Sequence, residues 1–192
     1  MVHLFWRAEM LLFSSIKPSL KFTKLNEITD AALFAKYLEL VTIWFTDEWG
    51  YIHDKNKTRE QAIEDRKEYL EESADKIYLV FYGALVVGAF RIEYKEFENE
   101  LINSQIRKGL RDELQTSEIW FMYVASTYRS LGAGRQIVQE IKRLSKTEMG
   151  ASMVLLETLR PSLNHLYRIE DAELVCENHL DSKPTDVLRI KL

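Results

Sequence analysis

A run of seven largely apolar residues leads directly into a turn with two glycines and then into a helix-like pattern. The run EIWFMYV, residues 118–124, is apolar almost throughout, as is typical of a strand buried on both faces. The segment YRSLGAGRQIV follows, and apolar residues at helical spacing predict a helix from about Gly134 to Met149. A buried strand that turns into an amphipathic helix predicts a sheet with a helix packed on its face.

The other apolar patterns extend this unit in both directions. Strands are predicted at residues 20–25, at 152–159, at 173–178, at 186–192 and as a hairpin within 76–94 that turns near Gly83. Helices are predicted after a cap at Thr29 or Asp30, after a Thr58–Gln61 capping box, and near residues 161–173. The polar, helix-like segment 95–117 is interpreted as an excursion between strands. This order predicts a mixed α/β sheet with helices on its faces.

Size, charge and cysteine content exclude several classes of protein. A chain of 192 residues can bury one α/β core but not two, and 46% hydrophobic with 29% charged residues excludes general disorder. The net charge of -4 argues against nucleic-acid binding through phosphate neutralisation. One cysteine allows no internal disulfide, and four scattered histidines give no metal-ligand spacing. We therefore expect a cytoplasmic protein without a metal.

The first fourteen residues, MVHLFWRAEMLLFS, raise the question of a targeting segment. Arg7 and Glu9 interrupt the apolar run, no small-residue cleavage site follows, and the run is too short to span a bilayer. We predict an N-terminal extension at 1–19, or an unstructured leader if translation starts at Met10, followed by one domain at 20–192. No membrane partner is expected.

The turn RSLGAGR matches neither of two common phosphate-binding patterns. The P-loop needs Lys and Ser or Thr after its last Gly, and the dinucleotide fingerprint needs a third Gly where Ile137 stands. What is left is Arg-x-x-Gly-x-Gly at the start of a helix, where the amides of residues 130–135 can form an anion site. Gly132 and Gly134 would let the anion approach closely, and Arg129 and Arg135 would add positive charge. An ordinary tight turn is the alternative.

The segment YVASTYRSLGAGRQIV, together with LYRIEDAEL downstream, resembles the GCN5-related N-acetyltransferases. Val124, Arg129, Gly132 and Gly134 match the first part of that signature, and Leu166, Tyr167 and Ala172-Glu173 match the second. Two positions depart from it. Asp171 replaces the usual Gly, although Asp tolerates a left-handed conformation, and Arg160 stands where the family often has Asn.

The resemblance implies that the turn binds the pyrophosphate of acetyl-CoA. The predicted CoA-binding residues are Tyr123, Val124, Arg129, Ser130, Leu131, Gly132, Ala133, Gly134 and Arg135. It further implies that the fourth and fifth strands splay apart and that the N–H of Val124 stabilises the oxyanion. An ordinary ladder amide is the alternative for Val124.

The resemblance also implies a general acid for the leaving sulfur, and two glutamates are candidate general bases for the amine. Tyr167 would protonate the CoA sulfur, or else act only in packing. Glu157 resembles a Glu on the fifth strand of ribosomal-protein N-terminal acetyltransferases, where it serves as base. A structural salt bridge is the alternative for Glu157, and Glu118 is a second candidate base.

The acceptor is expected between the loop that joins the first two helices and the later strands. That predicted loop contains Asp47, Tyr51 and His53, and it gives Trp44, Glu48 and Trp49 as substrate-binding residues, because acidic and aromatic side chains suit a cationic amine. Tryptophans packed on the core are the alternative. The segment 95–117 would cover the acceptor cleft or form a dimer contact, so a monomer or a homodimer is expected.

Three functions follow from this resemblance. The first is direct transfer of acetyl from acetyl-CoA to an amine of a small molecule or protein. The second is a binding module that retains CoA, has lost catalysis and acts through a protein partner. The third is transfer of a longer acyl group.

Overall fold

The computed structural model describes residues 19–49, 57–95, 115–129, 131–177 and 185–192. In this part of the chain seven strands form one sheet in the order β1-β2-β3-β4-β5-β7-β6. The described strands are β1 (Leu20–Lys24), β2 (Ile77–Tyr82), β3 (Leu85–Tyr94), β4 (Thr116–Val124), β5 (Met153–Thr158), β6 (Ala172–Cys176) and β7 (Asp186–Lys191). The described helices are α1 (Ala31–Trp49), α2 (Arg59–Glu72), α3 (Ala133–Thr147) and α4 (Asn164–Arg168).

This architecture confirms the predicted mixed α/β fold. Within the described sheet β4 and β5 run parallel, and the other neighbouring strands are antiparallel. β2 and β3 form the predicted hairpin, in which Gly83 has a φ of 59°. Of the polar segment predicted at 95–117, residues 96–114 lie outside the described part, and β4 already begins at Thr116.

Local capping sets where the first two helices begin. The Asp30 side chain accepts a hydrogen bond from the N–H of Leu33 at 2.9 Å, so Asp30 rather than Thr29 caps α1. Thr58 and Gln61 form the predicted capping box of α2, with bonds of 3.3 Å and 2.9 Å. Both termini were therefore predictable from single polar side chains.

The end of α1 was predicted wrongly. Trp44, Asp47, Glu48 and Trp49 were assigned to a loop, but α1 continues to Trp49. The physical reason is that Phe45 and Trp49, four residues apart on one helix face, both pack on Phe121 of β4. The rest of the predicted loop, with Tyr51 and His53, lies outside the described residues.

Two apolar layers cover the two faces of the sheet. On one face α3 packs through Ile137, Val138, Ile141 and Leu144. On the other face α1 and α2 pack through Leu38, Val41, Phe45 and Leu70. Because strand side chains alternate, β4 contributes to both layers. A group at the start of α3 and a group at the end of α1 therefore lie on opposite faces.

β4 is not buried on both faces along its whole length, contrary to the prediction. Residues 116–119 are buried, but Trp120 is 47% exposed and the following residues are only half-buried. The cause is the missing neighbour, because β5 pairs with β4 only as far as Ile119. The exposed half of β4 borders the candidate active site.

Candidate active site

The gap between β4 and β5 is the central feature of the site. The two strands pair from Thr116–Met153 to Ile119–Leu156, after which β4 runs on to Val124 without β5 beside it. β4 carries an extra residue at this point, since Arg91 lies opposite Phe121 and Ile92 lies opposite Ile119. Trp120 is thus a β-bulge, which bends and twists a strand locally. The bulge accounts for the separation of β4 from β5.

The backbone of Val124 faces this gap. The N–H of Ala125 donates to the carbonyl of Val87 at 2.9 Å. Hydrogen-bonded and non-hydrogen-bonded pairs alternate in an antiparallel ladder, so the Val124–Gly88 pair is of the second kind. The N–H and C=O of Val124 therefore point away from β3 and toward the gap, and the same holds for Met122. This direction suits the predicted oxyanion donor.

Gly88 allows β3 and β4 to lie close together beside Val124. A Cβ at residue 88 would lie 2.5 Å from the carbonyl oxygen of Tyr123, too close for any real side chain. We expect Gly88→Ala to lower the free energy of unfolding by about 1–3 kcal/mol, the usual cost of overpacking. Thermal unfolding measures this. Gly134→Ala is the control, because its Cβ would meet only the end of the Leu166 side chain at 3.3 Å. Equal stability of Gly88→Ala and the native chain would contradict the assigned contact.

The N-terminus of α3 has the properties of an anion site. Gly132 is the N-cap with a φ of 80°, and it has no side chain with which to cap the helix. The first i to i−4 bond of the helix runs from Gln136 to Gly132 at 3.2 Å. The N–H groups of Ala133, Gly134 and Arg135 precede that bond and point out of the helix end. Leu131 beside them is about half-exposed, and Ser130, also predicted to bind CoA, lies outside the described residues.

The two glycines of the turn differ in their surroundings. A Cβ at Gly132 would meet nothing within 4 Å, so the space beside it is open. A Cβ at Gly134 would lie 3.3 Å from the end of the Leu166 side chain, so the lack of a side chain there also lets α3 pack closely on α4. That both glycines make room for an anion stays a prediction.

We expect Gly132→Val to weaken CoA binding by about tenfold or more, or about 1.4 kcal/mol. The added side chain would fill the open space and strain a backbone at φ 80°. Gly83→Val is the matched control, because Gly83 has a φ of 59° and equally open surroundings at the β2–β3 turn. Calorimetry should show native CoA affinity for Gly83→Val. Equal affinities of the two variants would remove the anion role from Gly132.

Neither predicted arginine points its side chain into the turn. The Arg135 Nε donates to Glu170 at 2.6 Å, next to α4. The Arg129 Nε donates to the carbonyl of Val124 at 2.8 Å. Its guanidinium lies 5.2 Å from the centre of the Tyr123 ring. The positive potential at the turn therefore comes from the helix end more than from these side chains.

Glu48 connects the ends of the two separating strands. One carboxylate oxygen pairs with Arg129, after β4, at 3.4 Å. The other pairs with Arg160, after β5, at 2.9 Å. We call Arg129, Glu48 and Arg160 the clasp. Its net charge is positive, so these contacts do not favour the predicted attraction of a cationic amine by Glu48.

The predicted aromatic ligands of the acceptor pack on the core. Trp44 stacks on Tyr123 with ring centres 4.9 Å apart. Trp49 lies 5.6 Å from Phe45 and 5.4 Å from Phe121. Tyr123, predicted to bind CoA, faces α1 rather than α3 and pairs with Ala89 in the ladder. The contacts of these three rings are those of side chains packed on the core, which was the alternative to binding the acceptor.

Tyr167 lies in the apolar layer beneath α3. Its side chain is only 6% exposed, and this burial raises the pKa of its hydroxyl above the ordinary value. Asn164, which sequence reasoning did not assign, fixes α4 by donating to Asp186 and accepting from Thr158, both at 2.6 Å. Asp171 has a φ of 66°, which confirms the left-handed turn predicted for it.

The two candidate bases lie close together on the α1 face. Glu118 is buried and pairs with Lys95 at 2.5 Å. Burial raises the pKa of Glu118, the Lys95 contact opposes that shift, and the charge of Glu157 raises the pKa further. Glu118 also lines a cavity of about 620 Å³ at the far end of the sheet from Val124, with Lys24, Tyr94 and Met149. Glu157 is exposed and is the first residue of β5 beyond its pairing with β4.

Two buried arginines pack on aromatic rings of β4, and neither was singled out from the sequence. Arg66 is 7% exposed with its guanidinium 5.1 Å from the centre of the Phe121 ring, and burial lowers its pKa. Arg91 lies 5.0 Å from the ring of Trp120, pairs with Glu93 at 2.8 Å and hydrogen-bonds the hydroxyl of Tyr69. The signal for Arg91 was a charge within a strand-like apolar run.

Within the described ranges, no group of three or more His, Cys, Asp or Glu residues is arranged to hold a metal ion. Across those same ranges, none of the helices combines the length and the apolarity that crossing a membrane requires.

Comparison with protein families identifies the class to which this site belongs. The model of the acetyltransferase (GNAT) family matches residues 38–169, about two thirds of the chain. The chain belongs to this family. A comparison with curated protein sequences gave no significant match. The matched range includes the C-terminal part of α1, the gap between β4 and β5, the start of α3 and Tyr167.

Solved structures share the fold at low sequence identity. FeeM, an N-acyl amino acid synthase from uncultured soil microbes, is 11% identical with a TM-score of 0.60, covering 91% of each chain. A chain of the NatC complex bound to Gag peptide and CoA is 14% identical with a TM-score of 0.58, covering 91% of this chain and 99% of that one. An acetyltransferase of the GNAT family from Streptococcus pneumoniae is 12% identical with a TM-score of 0.55, covering 91% and 99%. These likenesses establish the GNAT fold.

Proposed function

We propose that this chain transfers an acetyl group from acetyl-CoA to a primary amine by direct attack in a ternary complex. Membership of the GNAT family supports acyl transfer from a CoA thioester in general. The observation that carries the finer proposal is the gap between β4 and β5, into which the N–H of Val124 is directed. A donor already aimed at an open gap can stabilise a developing oxyanion without rearrangement.

The CoA is held from the α3 side of the sheet. Its pyrophosphate would bind the N–H groups of Ala133, Gly134 and Arg135, with the open space at Gly132 beside it. The pantetheine arm would then follow β4 into the gap, where Met122 offers its backbone N–H and C=O and Val124 offers its N–H, since the carbonyl of Val124 accepts from Arg129. Acetyl-CoA is part of this proposal, and a longer acyl chain would need space beyond the thioester.

In the reaction the amine nitrogen bonds to the thioester carbon and the carbon–sulfur bond breaks. The N–H of Val124 would hydrogen-bond the carbonyl oxygen as negative charge develops on it. Tyr167 would give its proton to the leaving sulfur, and its raised pKa keeps it protonated at neutral pH. An ordinary thiol has a pKa of about 8.5, so this acid contributes about 100-fold or less.

Glu157 is the better placed of the two bases. It lies level with the bulge in β4, at the point where the gap opens, and on the face that carries α1. Glu118 lies two residues further back in β4, where β5 is still paired with it. We therefore assign removal of the amine proton to Glu157, with Glu118 as a nearby second carboxylate.

Thiol release from acetyl-CoA over a panel of amines tests this function. The panel contains polyamines, aminoglycosides and peptides with free N-termini, and calorimetry measures CoA binding in parallel. Turnover with at least one amine supports the enzyme. CoA binding without turnover of any amine would favour the binding module that acts through a protein partner. Absence of CoA binding would contradict both.

A further inference from the structure

The clasp is a charged cluster for which the proposed reaction has no use. It contains two guanidinium groups and one carboxylate, so its net charge is +1. The side chains of Arg129 and Arg160 are 46% and 53% exposed, whereas that of Glu48 is 23% exposed. The excess positive charge is therefore presented to solvent while the compensating carboxylate is partly covered.

The clasp lies on the face from which the acceptor would approach. Glu48 is in the last turn of α1, and α1 packs on the face of the sheet opposite α3. In the proposed reaction CoA occupies the α3 side of the gap, so the amine reaches the thioester from the α1 side. Arg129 and Arg160 follow the strands that border the gap, at its wide end. An acceptor that enters the gap passes these two cations.

We infer that the acceptor amine also carries a carboxylate group, and that Arg160, assisted by Arg129, binds it at the mouth of the gap. This inference rests on the proposed function. Arg160 contacts Glu48 through one terminal nitrogen at 2.9 Å, and a guanidinium has five N–H donors in all. A carboxylate can pair with the donors that face solvent, and such charge-assisted bonds are stronger than neutral ones.

The spacing of the charges limits the shape of the acceptor. Glu157 and Arg160 are three residues apart along the chain, with a bend at Leu159 between them, so their Cα atoms are separated by at most about 10 Å. An acceptor that places its ammonium group at Glu157 and its carboxylate at Arg160 would span a distance of this order or less. ω-Amino acids and short peptides with a free C-terminus are the acceptors we expect, because they can span such distances.

Two probes that differ in a single charge test the inference. The probes are 5-aminopentanoate and 5-aminopentanamide, and calorimetry measures their binding to the native chain saturated with CoA, which carries no acyl group to transfer. We expect the carboxylate probe to bind about tenfold more tightly than the amide, and this difference to shrink at high salt. Equal affinities, or no binding of the carboxylate probe at millimolar concentration, would overturn the inference.

Substitutions of Arg160 and Glu48 in the clasp should affect the preference for the carboxylate probe over the amide probe differently. Arg160→Gln should abolish the preference for the carboxylate probe. Glu48→Gln should keep or increase the preference for the carboxylate probe, because the net charge of the clasp rises. If Glu48 instead binds the ammonium group of the acceptor, Glu48→Gln will weaken the binding of both probes equally, and the inference fails. Arg143→Gln is the control, since Arg143 pairs with Glu140 on the exposed side of α3. Retention of the preference in Arg160→Gln also overturns the inference. The comparison of probes on the native chain decides the matter even if a variant does not fold.

Turnover separates this inference from the proposed function. Binding preference for the carboxylate probe without acetylation of either probe would support the anion site and count against the enzyme. Acetylation of both probes with equal kcat/KM, and no binding preference, would support the enzyme and remove the anion site.

Discussion

Replacement of Glu157 with glutamine is expected to lower kcat by about 100-fold or more, with the affinity for acetyl-CoA unchanged. Glutamine keeps the shape of the side chain but cannot accept the proton that the ammonium group must lose before its nitrogen can attack. Glu157 is exposed at the point where β5 leaves β4, so the substitution should not disturb the core. Steady-state kinetics at saturating acetyl-CoA measures the effect.

The size of the loss should depend on the acceptor. At pH 7 an amine of pKa about 10.4 is neutral in about one molecule in 2,500, whereas an α-amine of pKa about 8 is neutral in roughly a tenth. A base that deprotonates the acceptor therefore matters more for the first kind. We expect the kcat of Glu157→Gln to recover as the pH rises toward the pKa of the amine.

Two other glutamates provide the comparison. Glu173, on the edge strand β6, pairs with Lys191 and Arg189, and Glu173→Gln should leave the kinetics unchanged. Glu118→Gln should have a smaller effect than Glu157→Gln, because Glu118 lies behind the bulge, where β4 and β5 are still paired. The reverse order of the two effects would assign the base to Glu118.

Features set by local chemistry were predictable from the sequence. The Thr58–Gln61 capping box, the glycine turn before α3 and the left-handed Asp171 each depend on residues close together in the chain. The element order followed from apolar periodicity, which distinguishes strands from helices without any knowledge of distant contacts. The anion site at α3 also depends only on one turn and one helix end, and the binding of an anion there stays a prediction.

Features that depend on distant partners were not predictable. Glu48 follows Asp47 in the sequence with no nearby arginine, and only the fold places it between Arg129 and Arg160. The position of Leu166 against Gly134 is likewise a tertiary contact that the sequence does not reveal. The half-exposed end of β4 was not predictable from its apolar sequence, although the family resemblance implied that β4 and β5 splay apart. In each case the residues that surround the position belong to another helix, strand or loop, which lies far away in the sequence.

Tyr167→Phe is expected to lower kcat by up to about 100-fold while the KM for acetyl-CoA changes little. The phenyl ring can fill the same place in the apolar layer, so the variant loses a proton donor and keeps the packing. Because burial raises the pKa of Tyr167 above 10, the native enzyme should lose no activity through this group up to about pH 10. The hydroxyl stays protonated on the acidic side of its raised pKa, and this is the form in which it acts.

Tyr78→Phe is the matched control for this substitution. Tyr78 is also buried in the layer beneath α3, where its ring stacks on Phe90 with centres 5.0 Å apart, but it lies away from the gap on β2. Both variants should unfold at temperatures close to that of the native chain, while only Tyr167→Phe should lose kcat. If the two variants have the same kcat, the Tyr167 hydroxyl is not the acid, and the sulfur leaves as a thiolate held by other donors. Because a thiolate is a tolerable leaving group at neutral pH, transfer would continue in that case, with the N–H of Val124 and Glu157 still in their proposed roles.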